Sequence, residues 1–578
     1  MKWSLKKRPD AELEALVRSH GSLLGSTLWA RGFSPRDEDA ITSFLSPRLE
    51  SLKSPFTLKN MSACVERLLA ARAADEVICV YSDYDMDGIS GLALLKSFLE
   101  ACGFKRLQHF QPDRLAEGYG VHSAALEALH KNDVKLVITV DTGTTALEAV
   151  ERARELGLDV MITDHHQQVG DLPPTPWLIN PNQNGDESSL GYLSGAGTAF
   201  YLCMALRSRM RELKLFGAEV PEPDLRQWLD VFCLGTIGDV VSLTGDNRTL
   251  VRAGLPYLSR TKRPGLKLLL EAVLDPTALM SITARDVAFS VVPKLNAASR
   301  MGEAHLSTEL LTTSDEARAS EIVERILDLN ALRSKTQAQI FDEAFAQATR
   351  MLEEAPETRV LTLRGQWHEG VLGIVAAKIA ELFNLPAIVL SETHDGKLRG
   401  SMRTRAAYNC VKILEGAAAI LDRFGGHHAA AGMQFDASKW DSFREILQTH
   451  VTAIYAPDGT PVETQYFDGE LSVNQTPSVE EVLKLKTMEP FGAGNPEPLF
   501  LMKNISLADF ELLKGTHIKM KRPMAPEMIG FSKANELERL KALGTENVDA
   551  LLIPEINTFR NQARVQLRIQ HLRASENA

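Results

Sequence analysis

Val77-Ile78-Cys79-Val80-Tyr81-Ser82-Asp83-Tyr84-Asp85-Met86-Asp87-Gly88 sets a short apolar run directly before alternating aspartates. Two further runs of the same kind follow, Lys135-Leu136-Val137-Ile138-Thr139-Val140 before Asp141-Thr142-Gly143, and Leu158-Asp159-Val160-Met161-Ile162-Thr163 before Asp164-His165-His166. Short β-branched runs separated by helical patterns predict a parallel α/β sheet. Thr144 to Leu156 has the length of a crossover helix, and Gly157 stands where a helix C-terminal glycine belongs. Ligands of open parallel sheets bind beyond the carboxyl ends of the strands, so the acidic and imidazole groups should converge there.

Working outward, residues 222–260 read as helical, with Asp239 as a charged residue inside the apolar segment Leu234-Gly235-Thr236-Ile237-Gly238-Asp239-Val240-Val241. Burying an unpaired carboxylate is costly, and a metal ion offsets that cost. Ser314 to Leu352 has helical spacing without proline or glycine and predicts a helix joining two domains. Runs at Arg359–Leu363 and Ala387–Leu390 resume the α/β alternation to about residue 455. The stretch 457–465, with Pro457, Asp458, Gly459 and Pro461, reads as a linker. Strand-like runs dominate beyond it: Leu499–Met502, His517–Met520, Asp549–Ile553 and Ala563–Ile569. Apolar and basic residues alternate in the last, as in a small barrel with one wet face.

The 578 residues carry a formal net charge of −11, so contact with nucleic acid has to come from local patches. Length favours several domains. The six cysteines form no Cys-x-x-Cys pair, which points to reduced thiols. No apolar run is long enough to span a bilayer, and the N-terminus lacks the pattern of a secretory signal; the expectation is a cytoplasmic protein without membrane contact.

Carboxylates crowded at one sheet edge raise one another's pKa unless cations hold them ionised. Oxygen donors suit Mg²⁺ and Mn²⁺, an imidazole shifts preference toward Mn²⁺, and a pair of such ions is a recurring device for phosphodiester hydrolysis. The expected ligands of two divalent ions are Asp85, Asp87, Asp141, His165 and Asp239, with Asp141 bridging, and with Asp83 and Asp164 supporting them. A lone aspartate after a strand is usually a turn or cap residue. Three such clusters at three successive strand ends favour metal.

The same residues resemble the DHH phosphoesterase superfamily, whose triplet stands at Asp164-His165-His166, and within it the bacterial RecJ exonucleases over nearly the whole chain. Asp83 to Gly88 matches the family's Asp-x-Asp-x-Asp-Gly element. Arg114, Glu117-Gly118-Tyr119-Gly120 and Pro293-Lys294-Leu295-Asn296-Ala297-Ala298-Ser299-Arg300 are similar to further elements. Gly370 to Ala376, Gly400-Ser401-Met402-Arg403 and Gly425-Gly426-His427-His428 look like the DHH-associated domain. Glu489 to Pro498 resembles the lead-in to an OB-fold. Met86 departs from the usual alanine, Thr142 from asparagine or cysteine, and Ser299 from glycine; none removes a proposed ligand.

The resemblance implies an N-terminal helical cap (1–50), a parallel-sheet DHH domain (51–313), a long helix (314–352), a second α/β DHH-associated domain (353–456) and an all-β OB-fold domain (466–573). It implies 5′-to-3′ hydrolysis of single-stranded DNA to 5′-mononucleotides in recombination and repair. Asp141 and His166 are the implied catalytic residues, and Arg114, Tyr119, Arg300, Ser401, Arg403, Gly426 and His427 the implied phosphate or DNA contacts. Tyr84, Tyr119 and Trp367 are candidates for base stacking. Lys514, Lys519, Lys521, Arg522, Arg560, Arg564 and Arg568 are candidates for the barrel's groove. A monomer that meets single-strand-DNA-binding protein and a helicase is implied as well. A phosphodiesterase acting on short oligoribonucleotides or cyclic dinucleotides, an inorganic pyrophosphatase and a non-catalytic helicase subunit are the competing readings.

Overall fold

The computed structural model describes residues 2–5, 10–114, 117–405, 408–455, 464–520, 527–559 and 562–575. The chain divides into two compact units, one from residues 53–462 and one from residues 1–52 with 463–578.

The larger unit opens with a five-stranded, all-parallel sheet: β1 (Val77–Ser82), β2 (Leu107–Phe110), β3 (Val134–Val140), β4 (Asp159–Thr163) and β5 (Leu178–Ile179), in the order β2-β1-β3-β4-β5. Every residue of β1 is buried, as expected of a strand covered on both faces. The order reverses direction between β1 and β3, so the switch point falls where the Asp83–Asp87 loop and Asp141 leave the sheet. The crossover helices include α1 (Met86–Ala101) and α2 (Leu147–Leu156), the latter ending on Gly157 at φ 73°. Two further helices, α3 (Gly195–Glu212) and α4 (Leu229–Gly238), are nearly all buried and back the switch point.

The stretch 222–260 is not one helix. It breaks after α4 and resumes at Gly245–Leu258, with Val240 at φ 60° in the break. Asp239 therefore caps the C-terminus of α4 instead of sitting inside an apolar segment.

After α5 (Val292–Arg300) comes the 39-residue helix α6 (Glu316–Glu354), started by Asp315, whose carboxylate accepts from Ala317 and Arg318 N–H. Its first half buries Ile322, Val323, Ile326 and Leu329; its second half places Ile340, Ala344 and Ala348 in the core of the next domain. That domain has a five-stranded sheet of β6 (Leu361–Gly365), β7 (Ala387–Glu392), β8 (Lys397–Arg403), β9 (Arg423–Gly426) and β10 (Ala430–Asp436), ordered β9-β10-β8-β7-β6. Only β6 and β7 pair in parallel. Helices α7 (Leu372–Phe383) and α8 (Trp440–Ile454) pack on it. Trp367, a stacking candidate from sequence, lies in this core at 7% exposure, its indole N–H donating to Glu343 at 2.7 Å. It is a packing residue.

The smaller unit is a mostly antiparallel seven-stranded sheet whose longest strands are Asn547–Phe559 and Gln562–Ala574. Helices Asp10–His20, Ser22–Ala30 and Glu38–Leu45 share its core: Leu16, Leu28 and Trp29 join Phe500, Ile505 and Leu567. Lys2–Leu5, inside the span expected to be a helical cap, is instead a strand that pairs in parallel with Thr464–Phe467. Arg568 is not a groove residue. It is 7% exposed and clamped by Glu555 at 2.5 Å and Glu497 at 2.8 Å. Lys519 pairs with Glu527 at 2.9 Å, and Arg564 donates to Gln562 at 2.7 Å. Lys514 occupies a left-handed turn position at φ 52°. Lys521, Arg522, Arg560 and the linker residues Pro457 to Pro461 lie outside the described residues.

Candidate metal and phosphate centre

At the switch point Asp85 caps α1, its Oδ1 accepting from the N–H groups of Asp87 (2.9 Å) and Gly88 (3.3 Å). Asp87, one turn into the helix, is fixed by the N-terminus of α3: Gly195 N–H donates to Oδ2 at 2.5 Å and Ala196 N–H to Oδ1 at 3.0 Å. A helix N-terminus favours negative charge at that position. Asp141 leaves β3 in the left-handed region at φ 62°, strained for a residue with a side chain, while its N–H still bonds the Thr163 carbonyl at 3.0 Å.

His165 Nε2 stands 3.2 Å from Asp141, 3.5 Å from Asp239 and 3.8 Å from Asp87. Two sets of donor atoms, Asp87, His165, Asp239 and Asp83, Asp85, Asp141, each lie within 4.8 Å of one another. The structure thus gathers all five expected ligands and adds Asp83 as a donor in its own right.

These donors fit divalent ions. Asp141 Oδ1, Asp83 Oδ1 and His165 Nε2 are buried, and none has a hydrogen-bond partner of proper geometry. Leaving such atoms unpaired is expensive unless a cation takes them up. Burial first, then mutual repulsion, drives Asp83 and Asp141 well above the usual carboxylate range and Asp239 up to about 8. Asp87 is raised too, chiefly by burial.

A raised carboxylate pKa means that the metal-free fold favours the neutral acid. Its penalty starts near the unfolded value of about 4 and grows as pH rises. In chelator the melting midpoint should therefore fall, relative to protein loaded with Mn²⁺, as pH rises from about 5 to 8. Parallel midpoints over that range would contradict this charge balance.

The His-His pair is split in role by its surroundings. Asp164 Oδ1 accepts from the His165 N–H (2.8 Å), the His166 N–H (3.2 Å) and His166 Nδ1 (2.8 Å), while Oδ2 accepts from Thr144 N–H at 2.9 Å. Burial works against its charge, but His166 outweighs burial and holds Asp164 below the usual range. Burial likewise opposes the His166 imidazolium, yet Asp164 lifts it to about 9, a cation at neutral pH. Tyr119, 45% exposed, brings its hydroxyl within 3.2 Å of His166 Nδ1.

Facing these groups is the second sheet. The His427 ring lies 6.2 Å from that of His166 at 19°, and the His427 backbone N–H donates to the Ala430 carbonyl at 2.7 Å across the turn that follows Gly426. Ser401 and Arg403 share one face of β8, in register with Gly432 and Ala430 of β10. Arg300, at the end of α5, donates to the Gly370 carbonyl at 3.1 Å. Burial, then the like charges of Arg114, Arg403 and Arg333, lowers the Arg300 pKa to about 9. Arg114 also lies over the Tyr84 ring at 4.8 Å, so Tyr84 is engaged by a cation. Guanidiniums that oppose one another's charge in this way suit an anionic ligand.

Sequence reasoning missed Arg333, on α6, because its spacing is that of an ordinary exposed helix residue. It also missed Asn180 and Asn182, whose side chains hold the His166 carbonyl (2.8 Å) and the His165 carbonyl (2.6 Å). Their proximity to a strand end was the available signal. Gly195 was missed too: a Cβ there would lie 2.5 Å from that of Asp141.

Comparison with known proteins follows the same map. Family models match at residues 77–236 (DHH family, N-terminal domain), 357–453 (DHHA1 domain) and 467–571 (RecJ OB domain). The single-stranded-DNA-specific exonuclease RecJ of Dickeya dadantii is 32% identical over 98% of both chains. The chain belongs to the RecJ family. RecJ of Bacillus subtilis is 31% identical over 100% of this chain and 71% of its own. The crystal structure of RecJ from Thermus thermophilus in complex with Mn²⁺ superposes with a TM-score of 0.81 at 28% identity, covering 100% of this chain and 80% of that one. Asp239 and Arg300 lie outside the residues that the DHH, DHHA1 and RecJ OB models match, and the fold brings both beside the matched residues.

Proposed function

We propose that this chain is a metal-dependent 5′-to-3′ exonuclease that removes 5′-mononucleotides from single-stranded DNA during recombination and repair. The observation that carries the reading is the set of buried, unpaired donors, Asp141 Oδ1, Asp83 Oδ1 and His165 Nε2, at the switch point of a parallel sheet. Asp85 and Asp141, with Asp83 beside them, would hold one ion, and Asp87, Asp141, His165 and Asp239 the other. Mn²⁺ or Mg²⁺ held there would supply an activated water and positive charge for the scissile phosphate.

The chain's own residues do the rest. His166, kept protonated by Asp164, presents a fixed positive charge to the phosphate oxygens, and Asp164 keeps the ring from turning away. Arg114 from beside Tyr84, Arg300 from the end of α5 and Arg403 from the second sheet hold the strand's phosphates, with Ser401, the Gly426 turn and His427 beside Arg403. Tyr119 is exposed next to His166 and is placed to meet a base or sugar. We place the functional domains at 51–313, 353–456 and 466–573, with 314–352 linking the first two. The assignment includes action as a monomer in the cytoplasm, alongside single-strand-DNA-binding protein and a helicase.

The test is digestion of 5′-labelled and 3′-labelled single strands, beside duplex and RNA, with Mn²⁺, Mg²⁺ or chelator. The expected result is immediate release of labelled mononucleotide from the 5′-labelled single strand alone, abolished by chelator. Survival of long strands together with cleavage of dinucleotides would overturn the exonuclease reading in favour of a small-substrate phosphodiesterase.

A further inference from the structure

A second cleft, of about 850 Å³, lies on the outer edge of the DHH-associated sheet, between the C-terminal half of α6, strand β6 and helix α8. Strand β6 is an edge strand. The Leu361 N–H goes to the Pro386 carbonyl, so alternate residues turn their backbone polar groups outward, away from β7. Two glutamines cap part of that outward edge. Gln347 holds both the N–H (3.2 Å) and the carbonyl (2.9 Å) of Arg364, and Gln448 holds the Val360 carbonyl at 2.7 Å.

Between them Thr362 is left over. Its hydroxyl is buried without a hydrogen-bond partner, the residue is 5% exposed, and it lines the cleft. A buried polar group of this kind calls for a ligand. Around it stand Arg350, Arg364 and Arg444. Arg364 and Arg444 both lie against the Trp440 ring, at 4.8 and 5.7 Å; Arg364 has Glu392 at 3.7 Å, and Glu354 and Glu357 also line the cleft. Met351 and Leu363 supply an apolar wall.

We propose that this cleft binds a nucleoside 5′-monophosphate. The outward N–H and C=O of one extended residue form a donor and acceptor side by side, the complement of a nucleobase edge, and the guanidiniums suit a phosphomonoester. The volume is that of a small-ligand site. The gap in the edge is one residue long, which admits a base edge and not an added peptide strand. Such a ligand is also the product class of the proposed reaction, but its binding here does not depend on that reading.

The experiment is calorimetric titration of the full chain in chelator with deoxyadenosine monophosphate, deoxyribose 5-phosphate or inorganic phosphate. The expected result is saturable binding of the nucleotide, weakened about tenfold by Arg444→Gln or Arg350→Gln, the loss typical of one charge-assisted contact. Thr362→Val, nearly isosteric, should weaken it severalfold, and the Arg350 and Arg444 effects should persist in an Arg403→Ala background, which removes a phosphate contact of the other crevice. The two phosphates lacking a base should bind about tenfold more weakly or worse.

Loss of binding in Arg403→Ala with full retention in the Arg350 and Arg444 variants would overturn the proposal, as would the absence of saturable binding or equal affinity for inorganic phosphate. Melting midpoints report whether the variants are folded. The strand-digestion assay separately tests the exonuclease reading: a chain that binds the nucleotide but digests nothing leaves this proposal standing.

Discussion

Asp141→Asn should lower turnover on single-stranded DNA by about 10³-fold or more, equivalent to roughly 4 kcal/mol of transition-state stabilisation. The same change should raise the melting midpoint of the metal-free protein. Both effects come from one atom. Asp141 Oδ1 is the buried oxygen closest to His165 Nε2, and Asp141 is the one aspartate found both with the histidines and with Asp83 and Asp85. Its ionised form is opposed first by burial and then by Asp87, Asp85, Asp83 and Asp239.

Asparagine keeps the shape and tolerates the φ of 62°, so the backbone need not move. It removes the charge, which relieves repulsion in the absence of ions and weakens the hold on them in their presence. Stability in chelator and in Mn²⁺ should therefore move in opposite directions relative to wild type. A variant that loses activity and also melts earlier in chelator would mean that Asp141 is a structural residue. Near-normal activity would remove it from the ligand set.

How much of this was legible in the sequence depends on whether a residue's role is local. The strand ends announce themselves, because an apolar run that stops at Asp83, Asp141 or Asp164 has period and punctuation in a dozen residues. Gly157 was legible for the same reason: a helix needs a left-handed residue at its end, and the structure gives it φ 73°.

Asp239 was found for a partly wrong reason. It is not trapped in an apolar segment but released from one, where Gly238 ends α4 and Val240 turns the chain at φ 60°. Arg568 reads as a groove cation from its alternating strand, yet two glutamates distant in sequence neutralise it. Trp367 is similar. An indole in a polar stretch looks available until Glu343, brought from the long helix, takes its N–H. Pairing across long sequence separations is invisible to period and composition, and it accounts for these misreadings. The DHH triplet shows the converse: Asp164 accepts three hydrogen bonds from the two residues that follow it, which only this order of residues allows.

Gly195→Ala should reduce turnover by about 100-fold while leaving the protein folded, although no atom of Gly195 is a ligand. The residue has two duties at once. Its N–H donates to Asp87 Oδ2, and its bare Cα lets the N-terminus of α3 press against Asp141. A Cβ would stand 2.5 Å from Asp141 Cβ and 2.8 Å from its Cα, backbone-adjacent atoms that no rotamer change can move aside. Either α3 retreats, lengthening the bonds to Asp87, or Asp141 is pushed toward His165. Both displace carboxylates that must meet the same ions, and a shift near 1 Å suffices for the stated loss.

The packing strain costs about 1–3 kcal/mol. In calorimetry the variant should show weakened divalent-ion affinity, and raised Mn²⁺ should restore part of the rate. That rescue separates displaced ligands from a general loss of fold. If turnover stays near wild type, α3 yields without moving either aspartate, and the close approach at Gly195 is not what positions the centre. If turnover is lost but ion affinity is unchanged, the damage lies on the phosphate side, and His166, 3.9 Å from Asp141, is the group to examine next.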